Sequence, residues 1–179
     1  LVMPFSGFAV SVRGASHEES GTPCQDSSRV YISDRLAVAA VSDGHGSEKH
    51  FRSSSGSEMA ARIAIRSITD FCERNGSLGA VFAADPAEAA RRIAGNIICG
   101  WNDEIAAHLA YSPLTDRERE LSEKYGGLAP EIMYGATLIL AAADKDGIFG
   151  LQIGDGSFVL AAGGKSELPI PEDERLMGN

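Results

Sequence analysis

The chain has 179 residues, with 16 lysines and arginines against 25 aspartates and glutamates, so its formal net charge is −9. This acidic balance argues against a nucleic-acid partner, because binding to a phosphate backbone depends on lysine and arginine. The length suits one domain, and 44% apolar with 23% charged residues is typical of an ordinary globular protein. We therefore expect one folded domain over residues 1–179.

Cysteine usage and hydropathy point to a protein of the cytoplasm. The three cysteines are too few and too irregularly spaced for a disulfide framework or a CxxC metal site. No apolar run approaches the roughly 18 to 20 residues that cross a bilayer, and no signal-peptide pattern is present. The sequence thus predicts a reducing compartment and no membrane partner, and it specifies no oligomeric state.

The first third of the chain contains predicted strands. Alternating apolar and polar residues predict a short strand at Ala9–Arg13, followed by a polar loop over 14–26. Two Val-, Ile- and Ala-rich segments, Ser28–Ser33 and Leu36–Val41, predict paired strands joined at Asp34-Arg35. Because Leu36–Val41 has no polar face, we expect both of its faces to be covered.

The middle third predicts helices. Apolar residues three and four apart form one stripe from Ser57 to Asn75. Asp85-Pro86 is a typical helix start, and Pro113 ends that second helix. These two helices are expected to form an antiparallel pair on a sheet. Thr115 and Glu118 predict a capping box that begins a third, mostly exposed helix ending near Lys124.

Three apolar segments near the end of the chain predict further strands. They cover Tyr134–Ala143, Ile148–Ile153 and Phe158–Ala162, are separated by hairpin-type turns, and lead into a polar, extended tail from Gly163. Strands therefore come first, then helices, then strands. Because the connections between successive strands are too short for parallel crossovers, this order predicts an α+β fold with antiparallel pairing.

Three aspartates stand at predicted strand ends, where chemistry is possible. Asp43 follows the apolar strand and opens the run Asp43-Gly44-His45-Gly46, Asp26 precedes another strand, and Asp155 lies between two glycines. Alone, Asp43 is equally well interpreted as part of a turn, and for Asp26 and Asp155 a turn is the favoured interpretation. Together they would converge on one sheet edge, where mutual repulsion calls for a cation. Aspartate and carbonyl oxygens suit Mg²⁺ or Mn²⁺ rather than zinc.

Four short motifs in this order resemble the protein phosphatase 2C family in its bacterial form. They are Gln25-Asp26, Val41-Ser42-Asp43-Gly44-His45-Gly46, Tyr134-Gly135-Ala136-Thr137-Leu138 and Ile153-Gly154-Asp155-Gly156. The resemblance implies a four-layer fold, in which an antiparallel β-sandwich is flanked by antiparallel helix pairs. It also implies metal-dependent hydrolysis of phosphoserine and phosphothreonine in protein substrates.

Site roles follow from the same resemblance. Asp43 would bridge two Mn²⁺ or Mg²⁺ ions, with the attacking water between them, and Gly44 would contribute its carbonyl. Asp26 would hold metal-coordinated water, and His45 would be the general acid. Asp155 would help to bind a third, weaker ion, so that two or three ions are expected in the full-length domain.

The chain departs from the family pattern in two places. Gln25 stands where the family has a glutamate ligand, so one ion is expected to bind loosely. The family's phosphate-binding arginine has no counterpart just after Gly14, which leaves Arg13 or His17 to contact phosphate, with a solvated loop residue as the alternative for His17. The charged run 117–120 is interpreted as an exposed face with local ion pairs. His50 and Arg52 could approach phosphate, but their position at the start of a polar segment favours solvated side chains.

The chain is also shorter than the catalytic domains of the family. The C-terminal metal aspartates of the family have no match after Asp155, so we expect residues 1–179 to be about two-thirds of a phosphatase domain, weak or inactive alone. Two other functions stay open at this point. One is a non-catalytic phosphatase-like binding module, and the other is a phosphohydrolase that acts on small phosphate esters.

Overall fold

The computed structural model describes residues 5–171 and contains helices and two antiparallel sheets. The end of the predicted tail, residues 172–179, lies outside the described residues. In chain order the elements are α1 Ala15–Ser20, β1 Asp26–Ile32, β2 Ala37–Asp43, a 3₁₀ turn Glu48–His50, α2 Ser53–Asn75, α3 Leu78–Ala84, α4 Pro86–Tyr111, α5 Asp116–Lys124, α6 Pro130–Met133, β3 Leu138–Ala143, β4 Ile148–Ile153, β5 Leu160–Ala162 and β6 Lys165–Glu167.

The main sheet has four strands in the order β1-β2-β3-β4, and every neighbouring pair is antiparallel. This confirms the predicted antiparallel α+β class. The turn between β1 and β2 is closed by the Ser33 amide, which donates to the Leu36 carbonyl. The resemblance also implies a second sheet packed on the first. Within residues 5–171 the other sheet is the short pair of β5 and β6.

One face of the main sheet packs against helices and forms the core. Val38 and Ala40 of β2 and Leu138 and Leu140 of β3 are buried on this face, against which α2 packs. The Phe82 ring of α3 stacks on the Phe149 ring of β4, and the two ring centroids are 5.0 Å apart. The long helix α4 packs on α2 and α3. The predicted pairing of two long helices on a sheet is therefore present.

The opposite face of the sheet is open in the described part of the chain. Ala39 and Val41 are exposed there, so the prediction that Leu36–Val41 is covered on both faces is wrong for these residues. The reason is that successive side chains of a strand point to opposite faces, and only the Val38 face meets α2. Alanines carry no polar signal that would have marked the open side.

Several predicted boundaries also differ. Ala9–Arg13 is not a strand: its described link to β1 is a hydrogen bond of 3.0 Å between the Ser11 and Ser28 hydroxyls, without a backbone ladder. The loop predicted over 14–26 contains α1. The strand predicted over Phe158–Ala162 is shorter in the structure, where β5 covers Leu160–Ala162. It pairs with β6, which lies in the tail that was predicted to be an extended loop.

The helix ends follow the capping residues. Asp85 accepts a hydrogen bond of 2.9 Å from the Glu88 amide at the start of α4. Thr115 and Glu118 form the predicted capping box at the start of α5. Gly76, with φ of +94°, ends α2. Among the helices of residues 5–171, none combines the length and the apolar character that a membrane span requires.

Candidate active site

The end of β2 brings two of the predicted aspartates together. Asp26 begins β1, Asp43 ends β2, and the two residues are direct partners in the antiparallel register. Directly opposed residues of an antiparallel pair project from the same face of the sheet. The two carboxylates therefore lie side by side at one edge, which is called the carboxylate edge below.

The carboxylates of this edge repel one another. Burial raises the pKa of Asp43 above its ordinary value, and a hydrogen bond with the Asp26 carboxyl and its charge raise it further. The charge of Asp155 adds to the rise, whereas His45 lowers the pKa. A cation at this position would relieve the repulsion, since opposite charge favours the ionised carboxylate.

Asp155 lies in the turn after β4, and it lines the same open cleft as Asp26 and Asp43. The volume of this cleft is about 400 Å³. Gly154 and Gly156 on either side of Asp155 have φ of +83° and +118°, which glycine adopts without strain. Within residues 5–171, however, no three His, Cys, Asp or Glu side chains are close enough together to hold a metal ion.

Gly44 is required by close backbone packing. Its amide donates a 3.1 Å hydrogen bond to the Gln25 carbonyl. A Cβ atom on Gly44 would lie 2.7 Å from that oxygen and 2.8 Å from the Ser53 carbonyl oxygen, so no larger residue fits without a shift. The dipeptide Asp43-Gly44 is therefore not a free turn, because Gly44 extends β2 by a bridge to Ala136.

His45 is held by its backbone and by a neighbouring ring. Its amide donates to the Gly135 carbonyl at 3.0 Å. The His50 ring lies 4.7 Å from the His45 ring, and the His50 Nδ1 is hydrogen-bonded to the Ile132 carbonyl. Burial lowers the pKa of His50. His50 is thus a half-buried neighbour of His45, which corrects the expectation that it is solvated.

Gln25 contacts the His45 loop. Its side-chain amide donates to the His45 carbonyl at 3.2 Å and to the Ser53 hydroxyl at 2.7 Å. The amide therefore joins the loop that carries His45 to the start of α2. The sequence marked Gln25 only as a neutral residue at the position of the family's glutamate ligand. No local pattern indicated that its side chain would also hold the His45 loop in place.

Arg13 and His17 occur together near the N-terminal end of the described chain. The Arg13 Nη2 donates a 2.7 Å hydrogen bond to the His17 carbonyl, and the buried Arg13 Nε has no hydrogen-bond partner within residues 5–171. The adjacent Val12 lines the carboxylate cleft. An unsatisfied buried donor is costly, so an acceptor for the Arg13 Nε would stabilise this part of the chain.

Arg52 lies in a buried polar cluster, and the expectation that it is solvated is wrong. Its side chain is 8% exposed. Its guanidinium donates twice to Glu118 at 2.8 and 2.9 Å, and it donates to the Tyr134 hydroxyl at 2.9 Å. The His108 Nδ1 lies 2.6 Å from the same hydroxyl. We call Arg52, Glu118, Tyr134 and His108 the arginine cluster.

The arginine cluster also corrects the reading of the run 117–120. Arg119 makes a local ion pair with Asp116, as expected for an exposed helix face. Glu118 instead turns inward to Arg52, which lowers the pKa of Glu118 to about 2 and raises that of Arg52. Arg52 and Glu118 are 66 residues apart in the sequence, so no local sequence pattern could predict their ion pair.

Comparison with known proteins adds a family and one fold relative. Residues 13–177 match the sequence model of the family described as "Protein phosphatase 2C". No curated protein matches the chain. Among solved structures, the serine/threonine phosphatase PstP/Ppp of Mycobacterium tuberculosis is similar, with 19% sequence identity and a TM-score of 0.43. The match covers 83% of this chain and 48% of that one, so this chain spans about half the length of the phosphatase.

Proposed function

This chain belongs to the protein phosphatase 2C family, and we propose that it is a metal-dependent phosphatase of phosphoserine and phosphothreonine in proteins. The observation that carries the proposal is the carboxylate edge, where Asp26 and Asp43 are direct register partners at the end of the sheet. We propose a phosphoprotein as the substrate and the cytoplasm as the location.

The donor set suits Mn²⁺ or Mg²⁺. Asp26 and Asp43 offer hard oxygen atoms, which Mn²⁺ and Mg²⁺ prefer. Burial raises the pKa of Asp43, and the hydrogen bond and charge of Asp26 raise it further. These two residues would hold the ion, with the Gly44 carbonyl as a further donor and Asp155 at a weaker, additional position. A divalent cation held there supplies Lewis-acid polarisation of the phosphoryl group and a more acidic water.

His45 is the proposed general acid. When water attacks phosphorus and the P–O bond to the substrate breaks, the leaving serine or threonine oxygen takes a proton from the His45 imidazolium. The hydrogen bonds from the His45 amide to Gly135 and from Gln25 to the His45 carbonyl fix the backbone of this residue. A fixed backbone limits the positions that the ring can reach, which favours proton transfer.

Arg13 is the proposed phosphate-binding residue in place of the family's arginine. Its unsatisfied buried Nε and its position beside the lining residue Val12 favour it over His17. A guanidinium offers two parallel donors to phosphate oxygens, which an imidazole does not.

The test is turnover of an aryl phosphate and of a phosphoserine peptide by the full-length protein with Mn²⁺, with EDTA as the control. We expect phosphate release that depends on Mn²⁺ and falls about 100-fold or more in His45→Ala for the peptide, whose leaving alkoxide needs the proton. The rate with aryl phosphate should fall less, because a phenolate leaves without protonation. Folded full-length protein without metal-dependent turnover would contradict the proposal.

A non-catalytic binding module is the second candidate. It is favoured by the bonding of Gln25 to His45 and Ser53, and by the absence from residues 5–171 of three grouped metal-binding side chains. Such a module would bind a phosphopeptide in the presence of Mn²⁺ without releasing phosphate. A small phosphate ester as the true substrate would appear as turnover of the aryl compound without turnover of the peptide.

A further inference from the structure

A second groove lies beside the carboxylate edge, with α5 as one wall. Its volume is about 540 Å³, which is within the range of ligand sites. The opposite wall comes from the start of α2 and from the loop that follows His45. We call this feature the α5 groove.

Two ion pairs fix α5 against that opposite wall. Glu118 accepts two hydrogen bonds from the buried Arg52 guanidinium. At the other end of the helix, Lys124 pairs with Glu48 at 2.5 Å, and the Tyr125 hydroxyl donates to the same carboxylate at 2.8 Å. Because both ends of α5 are attached, the groove exists before any ligand binds, so ordering costs little on binding.

The groove adjoins the loop that carries His45. Gly46 and His50 line the groove, and the His50 ring lies 4.7 Å from the His45 ring. Gln25 also lines it and donates to the His45 carbonyl. A peptide whose leaving oxygen is placed at His45 would therefore have adjoining residues within reach of the α5 groove.

Among the charged residues of α5 that line the groove, Arg117 is a cation that has no ion-pair partner in the described part of the chain. Glu118 and Lys124 are already paired with Arg52 and Glu48. Arg117 also lines the groove, acts on Glu48 only through space, and makes no hydrogen bond or ion pair in the described part of the chain. The opposing charge nearby is Glu120, which has no ion-pair partner in the same range.

Building on the proposed function, we propose that the α5 groove binds the polypeptide around the phosphorylated residue and that Arg117 selects an acidic side chain there. A phosphopeptide is anionic, so of the two unpartnered charges Arg117 attracts it and Glu120 opposes it. The guanidinium also matches a carboxylate with two parallel hydrogen bonds.

The test compares two fluorescein-labelled peptides by anisotropy, with the full chain and Mn²⁺. Each carries a phosphonate analogue of phosphoserine, which cannot be hydrolysed, flanked on both sides by aspartates or by asparagines. We expect the acidic peptide to bind about threefold to tenfold more tightly, the range of a solvent-exposed charged contact. Arg117→Gln should bring this ratio to about one, and Glu120→Gln should raise it.

Arg74→Gln is the matched control, because it removes the same charge from an exposed position at the far end of α2. It should leave the ratio unchanged. A ratio of one in the unmodified chain, or a ratio that Arg117→Gln does not change, would overturn the proposal.

Aryl phosphate hydrolysis separates this proposal from the proposed function, because that small substrate does not reach the groove. Turnover of aryl phosphate with a peptide ratio of one means that the enzyme assignment holds and the groove assignment fails. An Arg117-dependent ratio without any turnover by the full-length protein means that the groove binds acidic peptide and the enzyme assignment fails.

Discussion

Two charged regions lie on either side of the loop 44–51 and differ in how their charges are compensated. At the carboxylate edge, Asp26 and Asp43 lie together, and burial and the hydrogen bond and charge of Asp26 raise the pKa of Asp43. In the arginine cluster, Arg52 is buried but has a carboxylate, a hydroxyl and carbonyl oxygens as partners. The first region has no cationic partner for its carboxylates among the contacts described above, whereas each charge of the second region is paired.

Removing the buried cation should have the largest effect on stability. Arg52→Met leaves Glu118 without its partner, and we expect a loss of about 3 to 5 kcal/mol in the free energy of unfolding. Urea denaturation measures it. Arg62→Met is the matched control, because the Arg62–Glu104 pair has similar geometry but a guanidinium that is 39% exposed. A loss of about 1 kcal/mol or less is expected there, and equal losses would contradict the difference in burial.

Acid should weaken the arginine cluster next. The pKa of Glu118 is about 2 in the folded chain against an ordinary 4.5, so the unfolded chain binds more protons between these values. The stabilisation is therefore complete above pH 4.5 and is lost as the pH falls toward 2.

Comparison with Glu118→Gln isolates this contribution. Between pH 5 and pH 3, the unmodified chain should lose about 1 kcal/mol more stability than the variant, since solvent screening reduces the full effect of the pKa difference. The free energy of unfolding is measured by urea denaturation at both pH values. Equal losses of stability in the two proteins would show that the ion pair has no role in acid unfolding.

Gln25 joins the two regions, and its truncation should have a smaller effect. Gln25→Ala removes the hydrogen bonds to the His45 carbonyl and the Ser53 hydroxyl, which should cost about 1 kcal/mol of stability. Thermal unfolding is the measurement. Asn75→Ala, which removes one side-chain bond at the end of α2, should cost less. An unchanged melting temperature in Gln25→Ala would argue against its role in fixing the loop.

Local patterns predicted much of the fold. The helical stripe of α2, the Asp85 cap and the Thr115 capping box depend on residues close in sequence, and each was read correctly. The position of Asp43 at a strand end came from the apolar run before it. The pairing of Asp26 with Asp43 then followed from the register of β1 and β2.

Contacts between distant segments were not predictable in the same way. The predicted helical stripe begins only at Ser57, whereas α2 begins at Ser53. The residues between, Ser54, Ser55 and Gly56, have low helix propensity and carry no apolar stripe. Yet a Cβ on Gly56 would lie 1.8 Å from the Tyr134 carbonyl oxygen, so the close approach of the helix needs a glycine there. The burial of Arg52 likewise depends on Glu118 and Tyr134, which only the tertiary fold brings near.

The central claim is that the carboxylate edge binds a divalent cation, and calorimetric titration with Mn²⁺ tests it most directly. Asp43→Asn is compared with Asp34→Asn, a change of the same charge in the turn at the other end of β2. We expect Mn²⁺ binding in the unmodified chain and in Asp34→Asn, and none in Asp43→Asn, which should be about 1 kcal/mol more stable without metal because repulsion is relieved. Equal Mn²⁺ binding by Asp43→Asn, or no binding by the folded unmodified chain, would contradict the account.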